Sequence, residues 1–154
     1  HFYAGALDER RVGALRRAVQ DCRELLPQAS WRWAAPDQLV AEYPWEDTAP
    51  LERATCAQVA AFLLASLRAR WVCANIKRGN FRVRADGRLL YIDLGDGIVP
   101  MDASYFLDAA ARLYSVAVLG RADAELLRRP TDRSKPKAWE GLPGFAEFYG
   151  QVMR

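Results

Sequence analysis

The tripeptide Ala85-Asp86-Gly87 stands between two short apolar runs, Phe81 to Val83 and Leu89 to Ile92. Asp-Gly between such runs is a strong hairpin signal, because glycine enters a positive-φ turn without a Cβ penalty. A hairpin folds its two ends back together. Asn80, just before the first run, and Asp93, just after the second, can then face one point.

The residue types at that point have a definite chemistry. A carboxylate and an amide oxygen are hard ligands suited to magnesium, which takes one or two protein oxygens and fills its shell with phosphate and water. Lys77, three residues before Asn80, adds a positive charge for a transferred phosphate. Gly95 permits a backbone turn out of the strand. The plainer alternative is that Asn80 caps a turn and Asp93 makes surface hydrogen bonds.

The remainder of the chain predicts a frame for this pair. With 154 residues, 51% of them hydrophobic and 27% charged, the chain fits one domain, 1-154, with a real core. Residues from about Asp8 to Leu26 read as an amphipathic helix, capped by Asp8 and ended by Pro27. Trp31 to Trp33 and Gln38 to Tyr43 read as short strands around a Pro36-Asp37 turn, and Glu46 to Pro50 as a loop. Helices are expected over about 51–70, 104–119 and 144–153, with a loop over 129–136. The expected class is α+β, mostly helical.

Composition narrows the function classes. The formal charge of +3 is modest, and the Arg10-Arg11, Arg16-Arg17 and Arg128-Arg129 clusters read as solvated surface rather than a nucleic-acid footprint. Cys22, Cys56 and Cys73 contain no CxxC pair, and His1 is the only histidine, which argues against structural zinc and a disulfide framework. Cys22 and Cys56 fall in helical patterns and are expected to be buried thiols. A reducing cytoplasm is the expected compartment. No apolar run reaches the roughly 20 residues needed to span a bilayer.

Asn75-Ile76-Lys77-Arg78-Gly79-Asn80 and Tyr91-Ile92-Asp93-Leu94-Gly95 resemble the catalytic loop and the Asp-Phe-Gly element of protein kinases and their aminoglycoside- and sugar-kinase relatives. The family places a lysine three before the metal-binding asparagine and a metal-binding aspartate thirteen after it, as Lys77, Asn80 and Asp93 stand here. The resemblance implies ATP and magnesium as cofactors, with Asn80 and Asp93 as metal ligands and Lys77 and Asn80 at the phosphates. It makes Glu42 and Tyr43 the end of the strand and hinge that contact adenine through backbone groups. Residues 1-43 then form a small-lobe remnant and hinge, and 44-154 a large lobe. The first helix would match the regulatory helix, with Asp21 or Glu24 as its acidic candidate, and Asp108 would hold the catalytic loop's backbone.

Two departures bear on mechanism. Where the family carries the aspartate that accepts the substrate hydroxyl proton, this chain has Asn75, and an amide can position a hydroxyl but cannot act as a general base. Asp96 is a candidate substitute. No glycine-rich loop or phosphate-pairing lysine precedes the first helix, so the expectation is a piece of a longer parent that supplies them upstream of His1. The short segment after Gly95, with no Ala-Pro-Glu motif, resembles kinases acting on small molecules, sugars or lipids rather than peptides. The expected function is an ATP- and magnesium-dependent phosphotransferase domain, catalytically degenerate through Asn75. The alternative is a pseudokinase binding module.

Overall fold

The computed structural model of this chain describes residues 2–4, 9–36, 38–95, 97–123, 139 and 141–154. Its first sheet is antiparallel. Strand β1 (Phe2–Ala4) leads to helix α1 (Glu9–Asp21), then β2 (Ser30–Ala35) and β3 (Gln38–Glu42), in the order β1-β3-β2. The spacing that predicted α1 is the spacing it buries: Val12, Leu15, Ala18, Val19 and Cys22 face the core, while Arg16, Arg17 and Gln20 face solvent. The helix ends earlier than expected, at Asp21. A turn closed by the Leu25 and Leu26 amides on the Cys22 carbonyl then brings buried Pro27 into place.

Strand β4 (Thr48–Pro50) replaces the loop expected over Glu46 to Pro50. It pairs with β6 (Phe81–Arg84) as an edge strand, where a proline and polar residues are tolerated because one side of the ladder is unpaired. Helix α2 (Cys56–Ala69) follows, starting later than expected. Thr55 sets the start through a capping box with Gln58, while the preceding residues are used otherwise: Leu51 is buried and the Ala54 amide donates to the Ala117 carbonyl. Arg70 ends α2 in the left-handed region, at φ 61°. Strand β5 (Trp71–Cys73) then leads towards β6 and β7 (Leu89–Tyr91).

The predicted hairpin is β6–β7, in register Phe81↔Tyr91 and Val83↔Leu89. Gly87 turns at φ 84°, and its carbonyl accepts from Gln58 Nε2 at 2.6 Å, which clamps the hairpin tip to the first turn of α2. Strand β8 (Ile98–Pro100) returns against β5. Asp102 then caps α3 (Ala103–Leu113), which runs on as a π-helical segment, Tyr114–Val118, before Gly120 breaks it at φ 71°. Helix α4 (Phe145–Val152) docks by Phe145 and Phe148 on the Tyr114 ring.

One hydrophobic cluster joins Leu15 and Val19 of α1, Phe62 and Leu63 of α2, Phe81 and Tyr91 of the hairpin, and Phe148 and Val152 of α4. Phe81 is its pivot, packed edge-on against Phe62 at 5.4 Å and against Tyr91 at 5.2 Å. Each such ring pair adds about 0.5–1.5 kcal/mol beyond its area burial. The class is mixed α+β, with more of the described chain in helices than in the strands, which form three small sheets. Among the described residues no helix is long and apolar enough to cross a membrane. The Asp8 cap, Asp37, the loop over 129–136, His1 and Arg128-Arg129 lie outside the described residues, as does Asp96.

Candidate functional site

The hairpin register carries Asn80 and Asp93 together. Extending the β6–β7 ladder one step beyond Phe81↔Tyr91 sets Asn80 opposite Ile92, and the Ile92 amide donates to the Asn80 carbonyl at 2.9 Å. Asp93 is the next residue out. Its Oδ2 accepts from Asn80 Nδ2 at 3.1 Å and from Asn75 Nδ2 at 2.7 Å. Asn80 Nδ2 also donates to the Asn75 carbonyl at 2.8 Å, closing a three-residue ring of contacts.

Asn75 reaches this point because β5 ends just before it. The Ala74 amide donates to the Gly97 carbonyl at 2.6 Å, and buried Ile76 anchors the chain on the core. Lys77 follows in extended conformation and is exposed. Its carbonyl accepts from the Asn80 amide at 3.0 Å, closing the 3-10 turn Arg78–Asn80. The loop thus points a lysine outward while turning both amides inward. Gly95 makes the expected turn, its carbonyl accepting from the Ile98 amide at 3.2 Å.

Two residues that sequence patterns did not single out hold the loop. Asp123 Oδ1 accepts from the Arg78 amide at 2.9 Å, while the Arg78 guanidinium reaches the Val116 and Arg121 carbonyls at 3.2 and 3.0 Å. Asp108 does not hold the loop as expected. Its carboxylate pairs with Arg112 one turn along α3, at 2.6 Å. Gly97 is the second. A Cβ there would stand 2.5 Å from the Tyr91 hydroxyl and 2.6 Å from the Asn75 Cβ, so only glycine lets β8 pass this close. Nothing local marks either residue, because both act across the tertiary structure.

The remaining predicted residues stand apart. Glu42 ends β3 in the first sheet, where its carboxylate pairs with Arg32 at 2.8 Å and its carbonyl accepts from Ser30 Oγ at 3.4 Å. The Arg32 hydrogen bond holds the Glu42 carboxyl below its ordinary value. Tyr43 is half-buried against the core, and burial raises its phenol. Neither residue shares a described hydrogen bond with Asn75, Asn80 or Asp93. Asp21 and Glu24 are also engaged elsewhere: Asp21 accepts from Trp71 Nε1 at 3.0 Å, and Glu24 pairs with Arg68 at 3.1 Å.

The cysteines supply no chemistry here. Burial pushes the Cys22 thiol up to about 12, aided by the Asp21 charge. Burial first, then Cys22 and Asp93, raise Cys73 well above the ordinary thiol range. Both remain protonated and inert near neutral pH. Cys56 is exposed at the start of α2, contrary to the expected burial, because the helix begins at that residue rather than five before it.

The residue types suit magnesium, although Asn80 turns its nitrogen rather than its oxygen to Asp93. Asp93 uses Oδ2 for both amides, and Asn80 is oriented by giving its nitrogen to a carbonyl. Asp93 Oδ1 and Asn80 Oδ1 consequently have no described hydrogen-bond partner. A carboxylate oxygen and an amide oxygen on neighbouring backbone positions match an ion that takes few protein ligands and completes its shell from phosphate. Among the described residues no group of three or more His, Cys, Asp or Glu could hold a metal, so a site built wholly from such side chains does not fit them. A groove of about 310 Å³ on the outer face of α2, lined by Leu25, Phe62 and Leu64 among others, shares no residue with this site.

No protein-family model matches the chain, and no curated protein matches it closely enough to count as a relative.

Proposed function

We propose that this chain is the kinase-like part of an ATP- and magnesium-dependent phosphotransferase, with a weakened catalytic loop. The observation that carries this is the convergence of Asn75, Asn80 and Asp93 within 2.7–3.1 Å, with one oxygen of Asp93 and one of Asn80 left for a ligand. Magnesium bound there would neutralise phosphate charge and orient the transferred group. Asn80 and Asp93 would hold it, with the Asn80 amide turning to present Oδ1 in place of the nitrogen it now gives to Asp93. Lys77, exposed beside them, meets phosphate oxygens as a point charge.

Asn75 carries the limit of the activity. Its Nδ2 is committed to Asp93, and an amide has no basic lone pair with which to take a proton at neutral pH. Asn75 Oδ1 can orient an acceptor hydroxyl, and positioning matters when the transition state is loose. Without a general base, transfer is expected to be slower by about 100- to 10,000-fold than with one. Acceptors of small-molecule, sugar or lipid type suit the segment after Gly95, which folds straight back into β8 and offers little platform for a peptide. On this proposal β1 to β3 with α1 belong to a small lobe. A second reading, a pseudokinase that binds without transferring, is favoured by the same Asn75–Asp93 bond.

Thermal melting with and without ATP and magnesium tests both. Ligand at 100 times its Kd stabilises by about 2.7 kcal/mol, a clear rise in Tm for a chain this size. Asp93→Ala should remove the shift. A wild-type chain that binds no magnesium–nucleotide refutes both readings. Transfer to a panel of hydroxyl acceptors separates the enzyme from the binding module.

A further inference from the structure

Trp45 is 77% exposed, the most exposed of the large hydrophobic side chains described. It is nevertheless held. The Arg82 guanidinium lies 5.5 Å from its ring centroid, and Arg82 is itself fixed by Nε to Thr48 Oγ1 at 3.1 Å and by Nη2 to the Thr48 carbonyl at 2.6 Å. One contact of this kind contributes little to folding at an exposed site. Its consequence is orientation: one face of the indole is set against a cation and the ring remains open to solvent.

The position of the pair relates it to the site. Phe81 is buried, whereas Asn80, which closes the 3-10 turn before β6, and Arg82, the second residue of β6, are both half-buried. Two residues of chain separate their backbones by no more than about 7 Å. Arg82 then reaches out under Trp45, which precedes β4 on the same side. A ligand with phosphates at Asn80 and Asp93 therefore has the Arg82-held indole within reach of its other end. An aromatic ring at that end gains a stacking surface already fixed in place. Stacking on indole requires a π-face and no particular edge pattern.

We propose that Trp45, oriented by Arg82, is the stacking platform for the base of the bound nucleotide, and that it accepts adenine and guanine alike. This rests on the magnesium–phosphate site proposed above. Arg82 is a positioning residue, acting through the indole rather than on the ligand.

The test compares binding of magnesium-ATP, magnesium-GTP and magnesium-tripolyphosphate by calorimetry, for the wild-type chain, Trp45→Ala, Trp45→Phe and Asp93→Ala. ATP and GTP should bind within a few-fold of each other. Trp45→Ala should weaken both by about tenfold or more while leaving tripolyphosphate unchanged, and Trp45→Phe should retain most of the affinity. Asp93→Ala should weaken all three ligands. Unchanged ATP affinity in Trp45→Ala, together with its loss in Asp93→Ala, overturns the platform and leaves the phosphate site standing. Equal weakening of tripolyphosphate in Trp45→Ala also overturns it, since the effect would not involve a base. A wild-type chain that binds none of the three overturns the phosphate site and the platform with it.

Discussion

Asn75 Nδ2 donates to Asp93 Oδ2 at 2.7 Å, so the residue standing where a kinase-like loop needs a base is hydrogen-bonded to the carboxylate expected to hold metal. The bond helps satisfy the Asp93 carboxylate in its partly buried position. Two amides, from Asn75 and Asn80, share its Oδ2.

Asn75→Asp is expected to place a carboxylate against a carboxylate. It loses a hydrogen bond to a charged group and adds like-charge repulsion, at a cost of about 1–3 kcal/mol at neutral pH in chelator. Magnesium should restore most of the loss, because a cation between the two acids replaces the amide. Thermal melts with magnesium or chelator read this directly. A variant as stable as wild type in chelator contradicts the role given to Asn75. A gain in phosphate transfer would show that the carboxylate was the missing part.

Gly97→Ala puts a methyl into space already taken by the Tyr91 hydroxyl, 2.5 Å away, and the Asn75 Cβ, 2.6 Å away. Overpacking of this kind costs about 1–3 kcal/mol in denaturant unfolding. Tyr91→Phe should relieve part of it, giving a non-additive double mutant. Gly79→Ala is the control, since nothing lies within 4 Å of the added carbon.

Asp123→Ala, which removes the acceptor, and Asp108→Asn should separate loop anchoring from helix stability. Asp123 accepts from the Arg78 amide, so its loss should speed hydrogen exchange at Arg78 at a cost of about 1–2 kcal/mol. Asp108 pairs with Arg112, their side chains only 15% and 12% exposed, so its loss should cost about 2–3 kcal/mol, between the surface and buried cases. Exchange at Arg78 should not change in that variant. Faster exchange at Arg78 in Asp108→Asn would return the anchoring role to Asp108.

Thiol reagents should modify Cys56 rapidly in the native chain and reach Cys22 and Cys73 only on unfolding. The cause is exposure at Cys56 against burial and a raised pKa at the other two. Ellman titration should show one fast thiol of three. Two or more fast thiols would mean that the core around β5 opens.

Glu46 gives the chain part of its acid sensitivity. Its hydrogen bond with Arg84, at 2.8 Å, lowers its carboxyl below the ordinary 4.5 in the folded state. The unfolded chain therefore binds the proton more readily. The pair's contribution is complete above about pH 4.5 and is lost as pH falls through the folded value. Solvent screening of the half-exposed carboxylate keeps it to about 1 kcal/mol or less. Glu46→Gln should flatten the acid limb of a stability profile by that amount and do nothing to its slope above pH 6.

Local sequence by itself determined the elements whose causes are local. Asp86-Gly87 between apolar runs specified the hairpin, and with it the meeting of Asn80 and Asp93, because antiparallel pairing follows from turn geometry. The three- and four-residue spacing of Val12, Leu15, Val19 and Cys22 likewise specified α1. Tertiary structure decided the rest. Whether Thr48 to Pro50 was loop or strand depended on β6 offering an edge, and where α2 began depended on Leu51 and Ala54 being drawn into the core. Asn75 looked like a simple deletion of charge. Only the folded chain shows its amide turned onto Asp93, Gly97 pressed against it, and Asp123 fastening the loop from far downstream. These are contacts of packing and hydrogen bonding between distant segments, and no periodicity in the chain encodes them.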